Sequence, residues 1–251
     1  NKYSIKIPYS INEIKKGCID IVKINKFSKC YIRPIAFYGY DTLGVDPKNC
    51  PVDVSVAAFF WGAYLGEDAI NNGAKVKISE WKRFNSSSFP VSAKAAGQYM
   101  NSMLAVQDAR ANGYDEAILL NQDGNVAEGS GQNIFYIKDG KVYTNDKTAS
   151  ILMGITRDSI LQFLPELGLE SSIIDISVDD LLNADEVFFC GTASEITPVA
   201  EINDLKIGSG FAGELTLKLR KYYLDIVFGR NSLYSRWLTN IALSSQTSLQ
   251  K

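Results

Sequence analysis

Hydrophobic positions along the N-terminal quarter of the chain follow helical spacing first and strand-like runs afterwards. Ser10–Phe27 carries apolar residues at helical spacing, and Ser10 is suited to cap the first turn. Apolar, β-branched and aromatic runs at Cys30–Tyr38 and Val52–Trp61 predict two strands, joined by the turn-rich segment Gly39–Pro51. Together they predict a small α+β unit, followed by a connecting segment at Gly66–Gly73.

The remainder of the chain alternates helical patterns with short apolar runs and predicts a larger second unit. Helices are predicted at Ala93–Ala111, Gly154–Leu167 and Gly213–Phe228. Strands are predicted at Val76–Phe84, Glu116–Asn121, Asn133–Lys138, Lys141–Thr144, Glu186–Cys190 and Ile196–Ile202.

Turn residues between these strands indicate the fold class. Asp-Gly pairs at 123–124 and 139–140 are typical of hairpins. Hairpins mixed with helices favour an α+β fold over a doubly wound parallel sheet. We expect a small domain at 1–64, an interdomain segment at 65–74, a large domain at 75–243 and a disordered or tag-derived polar tail at 244–251.

Composition excludes several classes of function. The net charge of −2 argues against a nucleic-acid partner, and no apolar run is long enough to span a bilayer. The four cysteines are widely separated, which predicts reduced thiols, a cytoplasmic protein and no metal site. The chain contains no histidine, so catalysis by Ser-His-Asp or Cys-His arrangements is excluded. Any chemistry must use lysine, carboxylates, tyrosine or a cofactor.

Lys94 is the leading candidate for a reactive group. It is the only charged residue between Arg83 and Asp108, and small residues flank it. A lysine that loses its hydration releases its proton readily, and the neutral amine can condense with a carbonyl such as the aldehyde of pyridoxal phosphate. The alternative is an ordinary lysine that extends from an amphipathic helix into water.

Pyridoxal phosphate would require three further partners, and the chain offers a candidate for each. Glu128 precedes two nearby glycines and would serve as the acid for the pyridine nitrogen, although it also fits an ordinary hairpin carboxylate. Tyr99 would donate to the phenolic oxygen, or would simply be a core residue. Small-residue turns that offer backbone amides to a phosphate occur at 154–158 and 190–198.

Taken together and in this order, the motifs resemble a known family. The chain is similar to branched-chain amino-acid aminotransferases, which are fold type IV pyridoxal-phosphate enzymes of the D-amino-acid-aminotransferase-like group. The matching stretches are Tyr31-Ile32-Arg33-Pro34, Trp61-Gly62-Ala63-Tyr64-Leu65, Ala93-Lys94-Ala95, Glu128-Gly129-Ser130-Gly131, Gly154-Ile155-Thr156-Arg157 and Gly191-Thr192-Ala193. The resemblance implies a small α/β N-terminal domain, incomplete here, and a larger α+β barrel-like domain.

The resemblance also implies a role for each matching residue. Lys94 would be the catalytic residue, bonding to the cofactor and moving a proton between substrate and cofactor. The other implied cofactor contacts are Tyr99, Glu128, Gly131, Asn133, Ile155, Thr156, Gly191 and Thr192. The implied substrate contacts are Tyr31, Arg33, Val45, Trp61, Tyr64, Thr192 and Ala193.

Arg33 would accept the side-chain carboxylate of glutamate, because its fork matches a carboxylate; the alternative is an ordinary ion pair at a strand end. The implied partners are amino acids, 2-oxo acids and further copies of the chain in a homodimer or higher oligomer.

Some features depart from the family pattern. Family members carry further residues before the position of Asn1, including an arginine for the cofactor phosphate, so we expect the natural N-terminus to lie upstream. Ile151-Leu152-Met153 replaces the more usual Leu-Pro before the phosphate-binding helix. Two alternatives remain: a D-amino-acid transaminase or aminodeoxychorismate lyase on the same fold, and a catalytically impaired relative with a binding role.

Overall fold

The computed structural model describes residues 2–241, and the expected polar tail at 244–251 lies outside the described residues. The described chain divides into two compact units. One comprises residues up to Gly62 and the segment that begins at Arg236, and the other is Ala63–Ser235. The domain limits expected from the sequence stay a prediction. Within the described range, no helix combines the length and apolarity needed to cross a membrane.

The smaller unit contains the predicted helix and the two predicted strands. Helix α1 spans Ile11–Asn25, and Ser10 and Glu13 cap it reciprocally through side chain and backbone. Strands β1 (Tyr31–Tyr38) and β2 (Val52–Phe59) form an antiparallel pair in which Tyr31 lies opposite Phe59. The sequence prediction of one helix and two strands is confirmed here.

The larger unit is built on a mixed nine-stranded sheet. Its strands are β3 (Ala74–Ile78), β4 (Glu116–Leu120), β5 (Val126–Gly129), β6 (Asn133–Lys138), β7 (Lys141–Thr144), β8 (Ser171–Ile173), β9 (Glu186–Gly191), β10 (Glu195–Ile202) and β11 (Leu205–Lys206). The order is β5-β4-β3-β10-β9-β6-β7-β8, with β11 paired to β10. The pairs β3–β10, β3–β4 and β7–β8 are parallel and the others antiparallel, which confirms the α+β class.

Helices of the larger unit surround this sheet. They are α2 (Glu67–Asn72), α3 (Tyr99–Ala111), α4 (Ile155–Phe163), α5 (Val178–Leu182) and α6 (Glu214–Val227). Short 3-10 turns precede α3 at Ala96–Gln98 and follow α4 at Leu164–Leu167, where Pro165 cannot continue an α-helix.

The centre of the sheet is fully buried and supports the loops above it. Phe135 of β6 and Phe188 of β9 lie opposite each other, and their rings stack with centroids 5.0 Å apart. Both side chains have no exposed surface. The loop between β5 and β6 and the turn between β9 and β10 are therefore carried by tightly packed strands.

Two predicted elements have different limits in the structure. The expected helix at Ala93–Ala111 begins only at Tyr99, because the Gln98 side chain donates hydrogen bonds to the carbonyls of Pro90 and Ala93 and holds the preceding residues in a bend. The expected strand at Val76–Phe84 ends at Ile78.

The sequence analysis also missed five labelled elements of the larger unit, all of them short. They are α2, which lies in the expected connecting segment, together with β5, β8, α5 and β11.

Candidate active site

A cavity of about 290 Å³ opens at the face of the larger unit where loops leave the central strands. The nine residues that the sequence marked as cofactor contacts all line it. They come from four separate parts of the chain, and the fold brings them together. They are Lys94, Tyr99, Glu128, Gly131, Asn133, Ile155, Thr156, Gly191 and Thr192.

Lys94 lies in the bend before α3, where its amine donates a 2.7 Å hydrogen bond to the Tyr99 hydroxyl. The sequence analysis expected a desolvated lysine, but the structure places Lys94 among the exposed residues of the cavity wall. The reason is the late start of α3: Ala96 and Gly97 form an exposed turn instead of burying Lys94 against a helix. Lys94 is therefore accessible to a ligand that enters the cavity.

Glu128 supplies a buried carboxylate on another wall. Its Oε1 lies 2.7 Å from Arg83 Nε, and both side chains are only 7% exposed. Its Oε2 accepts hydrogen bonds from the Leu152 backbone N–H at 3.2 Å and from Asn133 Nδ2 at 3.4 Å. Arg83, Leu152 and Asn133 thus hold this carboxylate in one orientation.

Burial raises the pKa of Glu128 from its ordinary value of 4.5 to about 7, against the opposing influence of the Arg83 cation, the Leu152 N–H and the Lys94 cation. A carboxyl group that titrates near neutral pH can hold or share a proton with a basic ligand atom. This property suits the acid partner of a pyridine nitrogen.

Asn133 connects Glu128 to the segment that leads into α4. Its Nδ2 donates to the Leu152 carbonyl at 2.8 Å as well as to Glu128. A Cβ at Gly154 would collide with Asn133 Oδ1, so glycine is required where the chain enters α4.

Helix α4 presents its N-terminus to the cavity. Gly154 caps the helix without a side-chain hydrogen bond, so the first-turn amides at Ile155 and Thr156 are offered to a ligand. Free amides and the helix dipole together favour an anion at this position. Beside it, Gly191 ends β9 and Thr192 begins the turn to β10. A side chain at Gly191 would crowd Ser194 Oγ at 3.0 Å.

Buried Arg157 links this anion-binding end to the acid end. Its guanidinium donates through Nε and Nη2 to the Asn145 carbonyl at 3.0 and 2.5 Å. The Asn145 amide in turn donates to the carbonyls of Val126 and Ala127 at 2.7 Å, just before Glu128. Hydrogen bonds therefore connect the helix α4 end of the cavity to the Glu128 end.

The predicted substrate contacts are divided between the two units. Thr192, Ala193 and Tyr64 belong to the larger unit, and the Tyr64 hydroxyl would lie 3.9 Å from a Cβ at Gly131. Tyr31, Arg33, Val45 and Trp61 belong to the smaller unit.

In the smaller unit, Arg33 lies among aromatic rings. Its guanidinium carbon is 5.4 Å from the Tyr31 ring centroid and 5.6 Å from that of Trp61. Alternate residues of a strand share a face, which places Arg33 beside Tyr31. Within residues 2–241, Arg33 forms no ion pair, so the alternative of a strand-end ion pair is not seen there.

The residues that line the cavity fit pyridoxal phosphate. An accessible amine, a buried acid and a helix N-terminus meet the needs of its aldehyde, its pyridine nitrogen and its phosphate. Arg83 adds support, since its buried Nη1 has no hydrogen-bond partner among the described residues although the side chain lines the cavity.

Arg83 is the site residue that sequence reasoning missed. It appeared only as the charged residue that precedes the uncharged stretch around Lys94. Its partner Glu128 is 45 positions further along the chain, and nothing in a single sequence connects the two.

Comparison with known proteins agrees with this geometry. A family model described as amino-transferase class IV matches residues 1–202. The chain therefore belongs to the class IV aminotransferases.

Within that family, the chain is similar to branched-chain amino-acid aminotransferases. It is 44% identical over 236 residues to the Pseudomonas aeruginosa enzyme, a match that covers 94% of this chain and 76% of that one.

Solved structures extend the similarity to the fold. The Escherichia coli branched-chain enzyme is 38% identical with a TM-score of 0.93, covering 96% of this chain and 79% of that one. The Thermobaculum terrenum enzyme, in its pyridoxal-phosphate form, is 34% identical with a TM-score of 0.89, covering 95% and 77%. These likenesses confirm the fold type expected from the sequence.

We predict that Glu128 titrates near pH 7 in the cofactor-free protein and that Arg83→Gln moves its pKa upward, because the cation that favours the carboxylate is removed. In the parent protein, the folded state keeps a proton on Glu128 between pH 4.5 and 7, whereas the unfolded chain releases it. The free energy of unfolding contributed by this group therefore falls as the pH rises through that window.

Carbon-13 NMR of the glutamate carboxyls, followed against pH, measures the pKa. The Glu128 resonance is identified as the one that is missing from the spectrum of the Glu128→Gln variant. A Glu128 pKa near 4.5 in both the parent and the Arg83→Gln protein would contradict the assignment.

Proposed function

We propose that this chain catalyses the reversible transamination of L-leucine, L-isoleucine or L-valine with 2-oxoglutarate, giving the branched-chain 2-oxo acid and L-glutamate. The observation that carries the proposal is the convergence of nine predicted cofactor contacts on one cavity of a class IV aminotransferase. When bound, pyridoxal phosphate withdraws electrons from the substrate Cα so that its proton can leave.

Lys94 performs the covalent and proton-transfer work. Its accessible amine would hold the cofactor at its aldehyde carbon, by a condensation that releases water, and would become free again when a substrate amine takes its place. The freed amine would then be the base that moves the proton from the substrate Cα to the C4′ position of the cofactor. The Tyr99 hydroxyl, which lies 2.7 Å from the Lys94 amine, would hold the phenolic oxygen of the cofactor.

Glu128 and Arg83 act at the other side of the ring. Glu128 would hold the pyridine nitrogen and favour its protonated form, and Arg83 would favour the charged, oriented form of the Glu128 carboxylate. The amides of Ile155 and Thr156 and the side chain of Thr192 bind the phosphate.

Substrate binding is proposed to divide between the α-carboxylate and the side chain of the amino acid. The backbone at Thr192 and Ala193 and the Tyr31 hydroxyl orient the substrate α-carboxylate, while Trp61 and Tyr64 contact the branched side chain.

Arg33 is proposed to bind the distal carboxylate when glutamate is the donor. A guanidinium matches a carboxylate with two parallel hydrogen bonds. Its place on aromatic rings, without an ion-pair partner in the described chain, supports this role.

The chain is further proposed to assemble as a homodimer or higher oligomer. Helix α3 exposes Met100, Met103 and Leu104 by 67%, 49% and 40%. These positions lie on one side of the helix, and a stripe of exposed apolar residues favours association. The loop around Val45, with Leu43 and Val45 fully exposed, would reach a neighbouring site.

A cytoplasmic location is proposed as well. Its support is that Cys18, Cys30, Cys50 and Cys190 are all free thiols, as expected in a reducing compartment.

The first test uses the visible absorbance of the protein with added pyridoxal phosphate, before and after L-leucine. We expect a band that moves when leucine is added and that Lys94→Ala lacks, because only the Lys94 amine bonds to the cofactor. Lys218→Ala, which removes an exposed lysine from α6, is the matched control and should behave as the parent.

Thermal unfolding of Lys94→Ala is measured in parallel, so that loss of the band is not confused with loss of the fold. Turnover of leucine by a folded Lys94→Ala protein would contradict the role of Lys94. A band that moves with D-amino acids but not with L-leucine would show that the substrates are D-amino acids and not L-leucine, L-isoleucine or L-valine.

A second prediction concerns the two halves of the reaction. Arg33→Leu should lower kcat/KM for L-glutamate roughly tenfold or more, the worth of a charged hydrogen-bonded pair, and leave L-leucine within about threefold. Single-turnover absorbance changes with each amino acid separate the two effects. Equal losses for both amino acids would show that Arg33 does not discriminate between them.

A third prediction addresses assembly. Met100→Glu with Met103→Glu should lower the mass measured by light scattering at micromolar concentration, because charges replace the apolar stripe of α3. Leu217→Glu, at a 38% exposed position of α6, is the control and should leave the mass unchanged. An unchanged mass in the α3 double variant would place any interface elsewhere.

A further inference from the structure

Gln98 is a buried glutamine in the bend before α3, and none of the roles proposed above uses it. The residue is only 3% exposed, although both of its neighbours in the chain, Gly97 and Tyr99, are exposed. Burying a side-chain amide is costly unless its donors and its oxygen are hydrogen-bonded. The partners of this amide therefore indicate what Gln98 does.

Both ends of the Gln98 amide have partners of the matching kind. Nε2 donates to the Ala93 carbonyl at 2.7 Å and to the Pro90 carbonyl at 3.1 Å, while Oε1 accepts from Arg83 Nη2 at 3.2 Å. A carbonyl can only accept and a guanidinium can only donate, so these partners define which end of the amide is the nitrogen. Both amide protons and one oxygen lone pair are thereby in use.

On its nitrogen side, Gln98 binds the turn that carries Lys94. The Ala95 N–H donates to the Ala93 carbonyl at 2.9 Å, which makes Lys94 the central residue of a three-residue turn. The Ala93 carbonyl that closes this turn is the one that accepts the 2.7 Å bond from Gln98. Because the backbone conformation decides which side-chain rotamers are allowed, Gln98 fixes the point from which the Lys94 amine reaches the cavity.

On its oxygen side, Gln98 contacts the arginine that pairs with Glu128. Arg83 Nε lies 2.7 Å from Glu128 Oε1. The Arg83 backbone N–H donates to the carbonyl of Leu120, the last residue of β4, at 2.7 Å, which fixes the arginine against the sheet. Gln98 and Arg83 are thus two consecutive links between the Lys94 turn and the Glu128 carboxylate.

We propose that Gln98 is a positioning residue, which sets the location of the Lys94 amine relative to the Glu128 carboxylate. It does so by holding the Ala93 carbonyl on one side and the Arg83 guanidinium on the other. This inference rests on the proposed function, in which Lys94 and Glu128 serve opposite sides of one rigid ring. A displacement of about 1 Å in a reacting group can cost on the order of a hundredfold in rate. Gln98 therefore contributes to the proton-transfer step and not to the affinity for the amino acid.

Two variants of Gln98 separate its contacts. Gln98→Met is similar in size and loses the hydrogen bonds on both sides. Gln98→Glu keeps an oxygen toward Arg83 and loses the donors to the carbonyls, because an ionised carboxylate can only accept. Gln162→Met, which removes the amide of an exposed glutamine in α4, is the matched control. Thermal unfolding shows whether each protein is folded, and Gln98→Glu carries the test if Gln98→Met does not fold.

Hydrogen exchange of the Ala95 amide, followed by NMR in the cofactor-free protein, tests the contact with the Lys94 turn. We expect exchange about fivefold to tenfold faster in both Gln98 variants, the equivalent of one lost hydrogen bond, and parent-like exchange in Gln162→Met. Parent-like exchange in a folded Gln98→Glu protein would show that Gln98 does not hold the turn, and would overturn the proposal. This measurement needs neither cofactor nor substrate, so its failure is distinct from failure of the proposed function.

A double-variant cycle tests the link to Arg83. Arg83→Gln should also accelerate exchange at Ala95, because Gln98 loses the donor that holds its oxygen, and it should add nothing further once Gln98→Met is present. No acceleration by Arg83→Gln, or the same acceleration in both backgrounds, would overturn the link. Arg83→Lys, which keeps a cation beside Glu128 but has no Nη2, takes its place if Arg83→Gln does not fold.

The division of the effect between rate and affinity tests the role of Gln98 in the reaction. In protein saturated with pyridoxal phosphate, the single-turnover rate constant at saturating L-leucine should fall roughly tenfold or more in Gln98→Met. The leucine concentration that gives half the maximal rate should stay within about threefold of the parent value. A parent-like rate constant in a folded Gln98→Met protein, or a loss confined to leucine affinity, would overturn the assignment of Gln98 as a positioning residue.

Discussion

The pairing of Glu128 with Arg83 inside the protein is the interaction on which the site depends. A carboxylate with almost no exposure is stable only if its charge and its lone pairs are satisfied. Arg83 supplies the charge, while Leu152 and Asn133 supply further donors. These contacts draw the bend before α3, the loop after β5 and the approach to α4 toward one point, and the cavity is the space that remains between them.

Lys94 and Glu128 represent opposite solutions to placing an ionisable group at a reaction site. Glu128 is buried and acquires a pKa of about 7 from its surroundings. Lys94 is accessible and is oriented by a single hydrogen bond to Tyr99. In the proposed function, the rigid group would serve the part of the cofactor that stays in place, and the accessible group the part that exchanges partners.

The sequence predicted those parts of the fold whose signals are local. The capping residues of α1 and the hairpin turns identify their elements because the stabilising contacts lie within a few residues. The start of α3 was wrong because the Gln98 side chain satisfies carbonyls that a helix would otherwise use. The cofactor contacts came from motif resemblance, and their meeting around one cavity could be seen only in three dimensions. Arg83 carries no local signal, since its partner Glu128 lies far along the chain.

The two-sided contact of Asn133 has a consequence for how this protein can vary. One small side chain positions the Glu128 carboxylate and the Leu152 carbonyl, and it occupies the space that a side chain at position 154 would need. Glu128, Asn133 and Gly154 thus fit against one another although they come from three separate segments. A change at any one of them alters the fit of the other two, so divergence in this part of the protein must proceed by concerted replacement and not by independent single steps.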